Sequence, residues 1–262
     1  MIRNPTFVIC LERKNKERCD VNFPIVKQLF PQAERMDAVD ANNIDIDNSQ
    51  ISTFSKYHLQ TTLDTDILHL SMKGAVGCAL SHINAWKKIA SLDEPGFVIE
   101  DDVDIKGLEP EIMAAYQKIP TDIDFASLMY LNWGSTKKHH HSRYNEHWLN
   151  ISSRYFSGTQ LYYLTPDGAK KLLQHVFPIT THIDIFIAYF SATKSNDFNG
   201  IFLNNNIYPF HLELQDNMNS TLGHGLQVKK MLPDENSFYY VFVASYLILI
   251  IVCIVIFIHR KR

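Results

Sequence analysis

Residues 74–102, GAVGCALSHINAWKKIASLDEPGFVIEDD, decide the fold of this chain. Apolar residues at helical spacing fill the first half of the stretch, namely Leu80, Ile83, Trp86 and Ile89. They predict a helix over residues 74–91 with one buried face. Gly96 then opens a short apolar strand over 97–99. Three carboxylates follow the strand directly: Glu100, Asp101 and Asp102.

The same alternation of helices and strands extends along the chain. Further strands are predicted where β-branched and apolar residues cluster, over 5–11, 36–41, 124–131 and 159–164. Further helices are predicted over 21–31, 110–118 and 167–176. Polar stretches predict loops at 42–66 and 137–147. Strands that alternate with helices predict an α/β fold with a mostly parallel sheet.

An uncharged apolar segment lies near the C-terminus. Residues 238–258 are dominated by Val, Ile, Leu and Phe, and a helix of that length spans about 30 Å, the hydrocarbon thickness of a bilayer. A linker over 225–237 precedes the segment, and a basic tail over 259–262 follows it. The sequence therefore predicts one large domain over residues 1–224 and a single C-terminal transmembrane helix.

The membrane orientation depends on two opposing signals. The N-terminus does not resemble a signal peptide, which favours a cytosolic domain, whereas the basic tail favours the lumenal orientation. The four cysteines form no C-x-x-C pair, and we interpret them as reduced thiols rather than as a disulfide or metal set. We therefore expect an anchored protein whose large domain is cytosolic, with the lumenal orientation as the alternative.

The charge balance excludes one broad class of function. The formal net charge is -3 and the isoelectric point is near 6.4, so no basic field attracts nucleic acid. No motif that reads DNA or RNA is present either.

An acidic cluster over 100–102 is the main candidate site. Two carboxylates on a sharp turn can hold a divalent cation and leave positions open for phosphate oxygens. A D-x-D triplet alone is weak evidence, since it occurs at Asp45/Asp47, Asp64/Asp66, Asp102/Asp104 and Asp122/Asp124. Only the cluster at 100–102 directly follows a buried strand, the position where open parallel sheets bind ligands. The alternative interpretation is a solvated acidic turn.

Several ordered motifs resemble glycosyltransferase family 25, which contains lipopolysaccharide and collagen-type galactosyltransferases. They are FVICLERKNKER (7–18), MDAVDA (36–41), GAVGCALSHINAW (74–86), FVIEDDV (97–103), SGTQLYYLTPDGAKKLL (157–173) and THIDIFI (181–187). Ala41 departs from the family, which usually has glycine there. The resemblance implies a GT-A type fold that binds a UDP-sugar, usually with Mn²⁺, and that transfers the sugar with inversion.

The resemblance also implies roles for individual residues. Asp102 would hold the metal together with Glu100 or Asp101, and His211, in a late P-x-H-like segment, would add an imidazole. The remaining donor-binding residues are expected to be Arg13, Arg18, Asp40, Gly77, Ser81 and His82. Trp86 is expected in the core, and the histidines at 139–141 in a solvated loop.

Inversion needs a base that deprotonates the acceptor hydroxyl, and Asp184 is our candidate. Its apolar neighbours could raise its pKa into a useful range; the alternative is a helix N-cap aspartate. The function expected is hexose transfer, from UDP-galactose or UDP-glucose, to a glycan, a lipid-linked sugar or a protein. The alternative functions are an inactive, membrane-tethered protein that binds sugar nucleotides or acts as a scaffold, and a metal-dependent phosphoesterase.

Overall fold

The computed structural model describes residues 1–45, 47–61, 73–129, 142–151, 156 and 158–204, apart from the side chains of 12–17, 58 and 61. The chain divides into two units, Met1–Gln215 and Asp216–Arg262. The second unit lies outside the described residues, and with it the predicted linker, transmembrane helix and basic tail. In the described ranges, no helix is long and apolar enough to cross a membrane.

The described residues form six helices and seven strands. The helices are α1 (Glu12–Leu29), α2 (Thr53–Thr61), α3 (Lys73–Ala90), α4 (Glu109–Tyr116), α5 (Pro166–His175) and α6 (Ile183–Thr193). The strands are β1 (Thr6–Cys10), β2 (Ala33–Asp37), β3 (Gly96–Glu100), β4 (Phe125–Met129), β5 (Trp148–Asn150), β6 (Leu161–Leu164) and β7 (Gly200–Leu203). The short 3₁₀ helix Ala41–Asn43 follows β2.

The seven strands of the described part form one mixed sheet in the order β2-β1-β3-β6-β4-β7-β5. β1 pairs in parallel with β2 and β3, and β4 pairs in parallel with β7. β6 is antiparallel to both β3 and β4, and β5 is antiparallel to β7. The fold is therefore α/β as predicted, but the prediction of a mostly parallel sheet is wrong at β6 and β5.

The sheet separates two hydrophobic cores, because successive side chains of a strand point to opposite faces. In β3, Val98 packs into the core beneath α3, α5 and α6. Phe97 and Ile99 pack into the other core, beneath α1 and α4. Trp86 is fully buried in the first core, which confirms its predicted position.

Several elements differ from the prediction. α1 begins at residue 12, well before the apolar pattern at 21–31. The prediction missed its first turns because charged residues occupy them. α2 lies inside the predicted loop 42–66, where the Ser52 hydroxyl accepts from the Ser55 N–H in N-cap geometry. β2 ends at Asp37, so it precedes most of the predicted strand 36–41. The short strands β5 and β7 were not predicted.

Cys10 and Cys19 form a disulfide, which corrects the interpretation of all four cysteines as reduced thiols. Cys10 ends β1, and Cys19 lies in α1, which folds back along β1 after a turn at Leu11. Their Cα atoms are 5.8 Å apart, a separation that a disulfide spans readily. Cys78 is a free thiol, and Cys253 lies outside the described residues.

Candidate active site

The candidate site lies at the edge of the sheet where β1 and β3 end. These two strands are parallel, so their carboxyl ends meet at this edge. β6 is antiparallel to β3, so its first residues reach the same edge. α3 packs against β1 and β3 on one face. Side chains from a strand end, a strand start and a helix can therefore meet here.

Glu100 ends β3 and directs its carboxylate toward α3 and the start of β6. Its Oε1 accepts a hydrogen bond of 2.8 Å from Thr159 Oγ1 and lies 3.3 Å from His82 Nε2. Burial opposes ionisation of the carboxyl, but the interactions with His82, Thr159 and Arg18 outweigh burial and lower the pKa of Glu100. Glu100 is therefore a fixed, ionised carboxylate at neutral pH.

A buried chain of hydrogen bonds orients His82. Trp86 Nε1 donates to Tyr162 Oη at 2.8 Å, and the same oxygen lies 2.9 Å from His82 Nδ1. Burial raises the pKa of Tyr162 well above its ordinary value, so the hydroxyl keeps its proton and can donate it to Nδ1. The pattern of donors then places the imidazole proton on Nε2, facing Glu100. His82 thus links the buried core to the acidic cluster.

Asp101 faces the opposite side of the strand end from Glu100. Its Oδ1 forms an ion pair with Arg18, and its Oδ2 accepts from the Leu11 N–H at 3.1 Å. Asp101 is buried, and both carboxylate oxygens bind protein groups. It therefore ties α1 to the end of β3, which leaves Glu100 as the better partner for Asp102.

The Asp102 side chain is exposed to solvent, yet the surrounding protein and a neighbouring negative charge both raise its pKa. The surrounding protein, and next the negative charge of Glu100, raise the pKa of Asp102 to about 7. The positive charge of Arg18 opposes this shift. The two carboxyls at residues 100 and 102 therefore repel each other, and a cation between them would relieve that repulsion.

Asp184 lies in the first turn of α6, whose N-cap is His182. The structure therefore does not support the alternative that Asp184 is the N-cap residue of this helix. Its Oδ2 accepts from the Gly158 N–H at 2.9 Å, and its Oδ1 accepts from the Ile185 N–H at 2.8 Å. Gly158 has φ of 92°, a conformation that favours glycine. The turn before β6 thus holds Asp184 as well as Glu100.

Cys78 is a member of the site that the sequence interpretation missed. Burial raises the pKa of the Cys78 thiol well above its ordinary value, and the charges of Glu100, Asp184 and Asp102 raise it further. The Cys78 sulfur, a His82 ring nitrogen and a Glu100 carboxylate oxygen all lie within 4.8 Å of one another. Cys78 and His82 are four residues apart on α3, so they share a helix face; that spacing could have indicated the pair.

Ser81 and Gly77 hold α3 against the segment after β2. Ser81 is buried, and its hydroxyl donates to the Gly77 carbonyl at 2.7 Å and accepts from the Val39 N–H at 2.8 Å. A Cβ at Gly77 would lie 2.6 Å from the Val39 carbonyl oxygen. Both residues therefore have packing roles in the structure, and their predicted donor binding stays a prediction.

The other predicted donor-binding and metal-binding residues lie at different places. Asp40 caps the 3₁₀ helix by accepting from the Asn42 N–H at 2.9 Å. Arg18 pairs with Asp101. Arg13 lies in the first turn of α1, but its side chain is outside the described residues, as is the whole of His211.

The other D-x-D triplets have structural explanations or lie outside the description. Asp45 accepts from the Asp47 N–H in a local turn. Asp122 accepts from Tyr144, while both oxygens of Asp124 accept from Lys171. The triplet at 64–66 lies outside the described residues, and so do the histidines at 139–141.

A comparison with models of protein families identifies the family of this chain. The model of the family described as "Glycosyltransferase family 25 (LPS biosynthesis protein)" matches residues 3–187. This range includes β1, the acidic cluster and Asp184 at the start of α6. A comparison with curated proteins found no match.

Proposed function

The chain belongs to glycosyltransferase family 25 and is therefore a glycosyltransferase, and we propose that it moves a hexose from a UDP-sugar. The donor would be UDP-galactose or UDP-glucose, and the acceptor a hydroxyl of a glycan, a lipid-linked sugar or a protein. We further propose that the reaction uses a divalent cation, Mn²⁺ first among them, and inverts the anomeric carbon.

One observation carries this proposal: carboxylates from distant parts of the chain converge beside one helix. Glu100 comes from the end of β3 and Asp184 from the start of α6, yet neighbouring residues of the turn before β6 bind both. Thr159 donates to Glu100 Oε1 at 2.8 Å, and the Gly158 N–H donates to Asp184 Oδ2 at 2.9 Å. A cation site for a diphosphate and a base for an acceptor hydroxyl must lie close together in a sugar transfer. The shared surroundings of these carboxylates support both roles in one site.

Glu100 and Asp102 fit a divalent cation. Carboxylate oxygens are the ligands that hard cations such as Mn²⁺ and Mg²⁺ prefer. The surrounding protein, and next the negative charge of Glu100, raise the pKa of Asp102. A cation held there would neutralise charge that develops on the departing diphosphate. Arg18 would add fixed positive charge nearby, because it already influences the pKa of both carboxyls.

Asp184 is the proposed base. The Gly158 and Ile185 N–H groups each donate to one of its oxygens, so its carboxylate has a defined orientation. His82, held by Tyr162 and Glu100, is a positioning residue for Glu100 in this proposal.

The mixed sheet supports a GT-A type assignment, because it places an acidic strand end at the proposed nucleotide edge. We propose in addition that residues 238–258 anchor the chain in a membrane. The Cys10–Cys19 disulfide favours an oxidising compartment, and the basic tail favours a cytosolic C-terminus. Together they support the lumenal orientation rather than the cytosolic one.

A binding experiment tests the donor and metal proposals. Calorimetry on the full chain in detergent should show UDP binding that requires Mn²⁺, and one UDP-sugar should be hydrolysed slowly without acceptor. Asp102→Asn should abolish the metal-dependent part of UDP binding. Asp122→Asn is the matched control, because Asp122 accepts from Tyr144 away from the site. UDP binding that is equal with and without metal would refute the metal proposal.

A further inference from the structure

We propose that Cys78, His82 and Glu100 form a second cation site, selective for thiophilic divalent metals such as Zn²⁺. The three side chains offer one sulfur, one imidazole nitrogen and one carboxylate oxygen, and these atoms all lie within 4.8 Å of one another. Sulfur, imidazole and carboxylate are the ligand types that zinc uses in proteins.

The arrangement of the three residues favours joint coordination. Cys78 and His82 lie four residues apart on α3, so both project from one helix face. Glu100 approaches from the end of β3, and its Oε1 is already 3.3 Å from His82 Nε2. The ligand atoms are thus held by two rigid elements rather than by a loop, and small side-chain movements bring them to coordination distance.

The surroundings of His82 provide the outer partner that a ligating imidazole requires. Nδ1 lies 2.9 Å from Tyr162 Oη, and metal-ligating histidines usually hydrogen-bond through the other ring nitrogen. With a cation on Nε2, the Nδ1–H would donate to Tyr162, whose oxygen has a second lone pair beside the Trp86 bond. The His82–Tyr162 hydrogen bond would therefore persist on a metal-bound imidazole with its direction reversed, and the Tyr162 hydroxyl proton would turn to another acceptor.

The charge around the thiol also favours a bound cation. Glu100, Asp184 and Asp102 all place negative charge near Cys78. Binding would deprotonate the thiol, and the released proton would pass to solvent while the sulfur forms the bond to the metal. Three protein ligands leave one position of a tetrahedral zinc site open.

This site differs from the proposed Mn²⁺ site in chemistry but shares Glu100 with it. A thiolate selects soft and borderline metals, whereas Asp102 and Glu100 together suit a hard cation. Zinc on Cys78 and His82 would draw Glu100 away from Asp102 and so inhibit sugar transfer. The inhibition rests on the proposed function, whereas zinc binding itself does not.

Cobalt spectroscopy on the full chain in detergent, without reductant, tests the site directly. Co²⁺ should give a thiolate-to-metal charge-transfer band and the intense visible absorption of tetrahedral cobalt, and equimolar Zn²⁺ should remove both. Cys78→Ser should lose the charge-transfer band and weaken Zn²⁺ binding by at least about tenfold. Cys253→Ser is the matched control and should keep the band.

The outcomes separate this inference from the proposed function. No charge-transfer band in the wild type, or an equal band in Cys78→Ser, would overturn the zinc site whatever the result with UDP. Asp102→Asn should keep the cobalt band while it loses Mn²⁺-dependent UDP binding. If UDP binding proves independent of metal but the cobalt band is present, the zinc site stands and the hard-cation proposal fails.

Discussion

Replacement of Thr159 by valine removes one hydrogen-bond donor from Glu100 and preserves the shape of the side chain. Thr159 is buried, and its hydroxyl lies 2.8 Å from Glu100 Oε1. A hydrogen bond to a charged group contributes about 1.5–3 kcal/mol. We expect Thr159→Val to lower the free energy of unfolding by that amount at pH 7, which at a urea slope of about 2 kcal/mol/M shifts the midpoint by about 1 M.

Thr159→Ser is the matched control, because it keeps the hydroxyl and removes only a methyl group. Loss of one buried methyl costs about 0.8 kcal/mol, independent of pH. The assay is urea denaturation of both variants, followed by tryptophan fluorescence.

The pH dependence distinguishes the two variants more sharply than their stability at one pH. The folded-state pKa of Glu100 is lowered, so its contribution to stability is present above the unfolded pKa and is lost as the pH falls through the folded pKa. The deficit of Thr159→Val should therefore shrink in acid, whereas that of Thr159→Ser should not. A valine variant no less stable than the serine variant at pH 7 would contradict the network described here.

Three further predictions concern the site and its frame. Asp184→Asn should keep metal-dependent UDP binding and reduce turnover by at least about 100-fold, measured by transfer of labelled sugar; near-normal turnover would show that Asp184 is not the base. Asp102→Asn should stabilise the metal-free protein, and the gain should grow as the pH rises from about 4 to about 7, because the pKa of Asp102 in the folded state is raised to about 7. Thermal unfolding at several pH values measures this gain, and a gain that is the same at all pH values would be inconsistent with the raised pKa. Gly77→Ala should cost about 1–3 kcal/mol of stability, since its Cβ would lie 2.6 Å from the Val39 oxygen; an unchanged urea midpoint would argue against close packing of α3.

The elements that could be predicted from the sequence are those whose pattern is local. β3 and α3 have continuous apolar patterns, and the cap of α5 is visible as Thr165 before Pro166; Thr165 Oγ1 accepts from the Gly168 N–H. β2, by contrast, buries only two of its five residues, so its sequence lacks the run of apolar residues that indicates a buried strand. β5 is three residues long and pairs with β7, which is distant in the sequence.

The site shows the same division between local and non-local information. The acidic cluster and Asp184 could be selected from motifs, but the different roles of Glu100 and Asp101 depend on strand alternation. Val98 and Glu100 face α3, whereas Ile99 and Asp101 face α1. Cys10 and Cys19 were misinterpreted because their pairing follows from the return of α1 along β1, which no spacing rule reveals.

The antiparallel insertion of β6 between β3 and β4 limits how this protein can vary in evolution. Two interactions fix the ends of the four residues from Gly158 to Leu161: the Gly158 N–H donates to Asp184, and Leu161 begins the strand that pairs with β3. Between these ends, the Thr159 hydroxyl donates to Glu100. One inserted residue between Thr159 and Tyr162 would exchange the faces of the following side chains and remove Tyr162 from Trp86 and His82. Natural relatives that transfer sugar should therefore keep this segment at constant length, even where neighbouring loops have gained or lost residues.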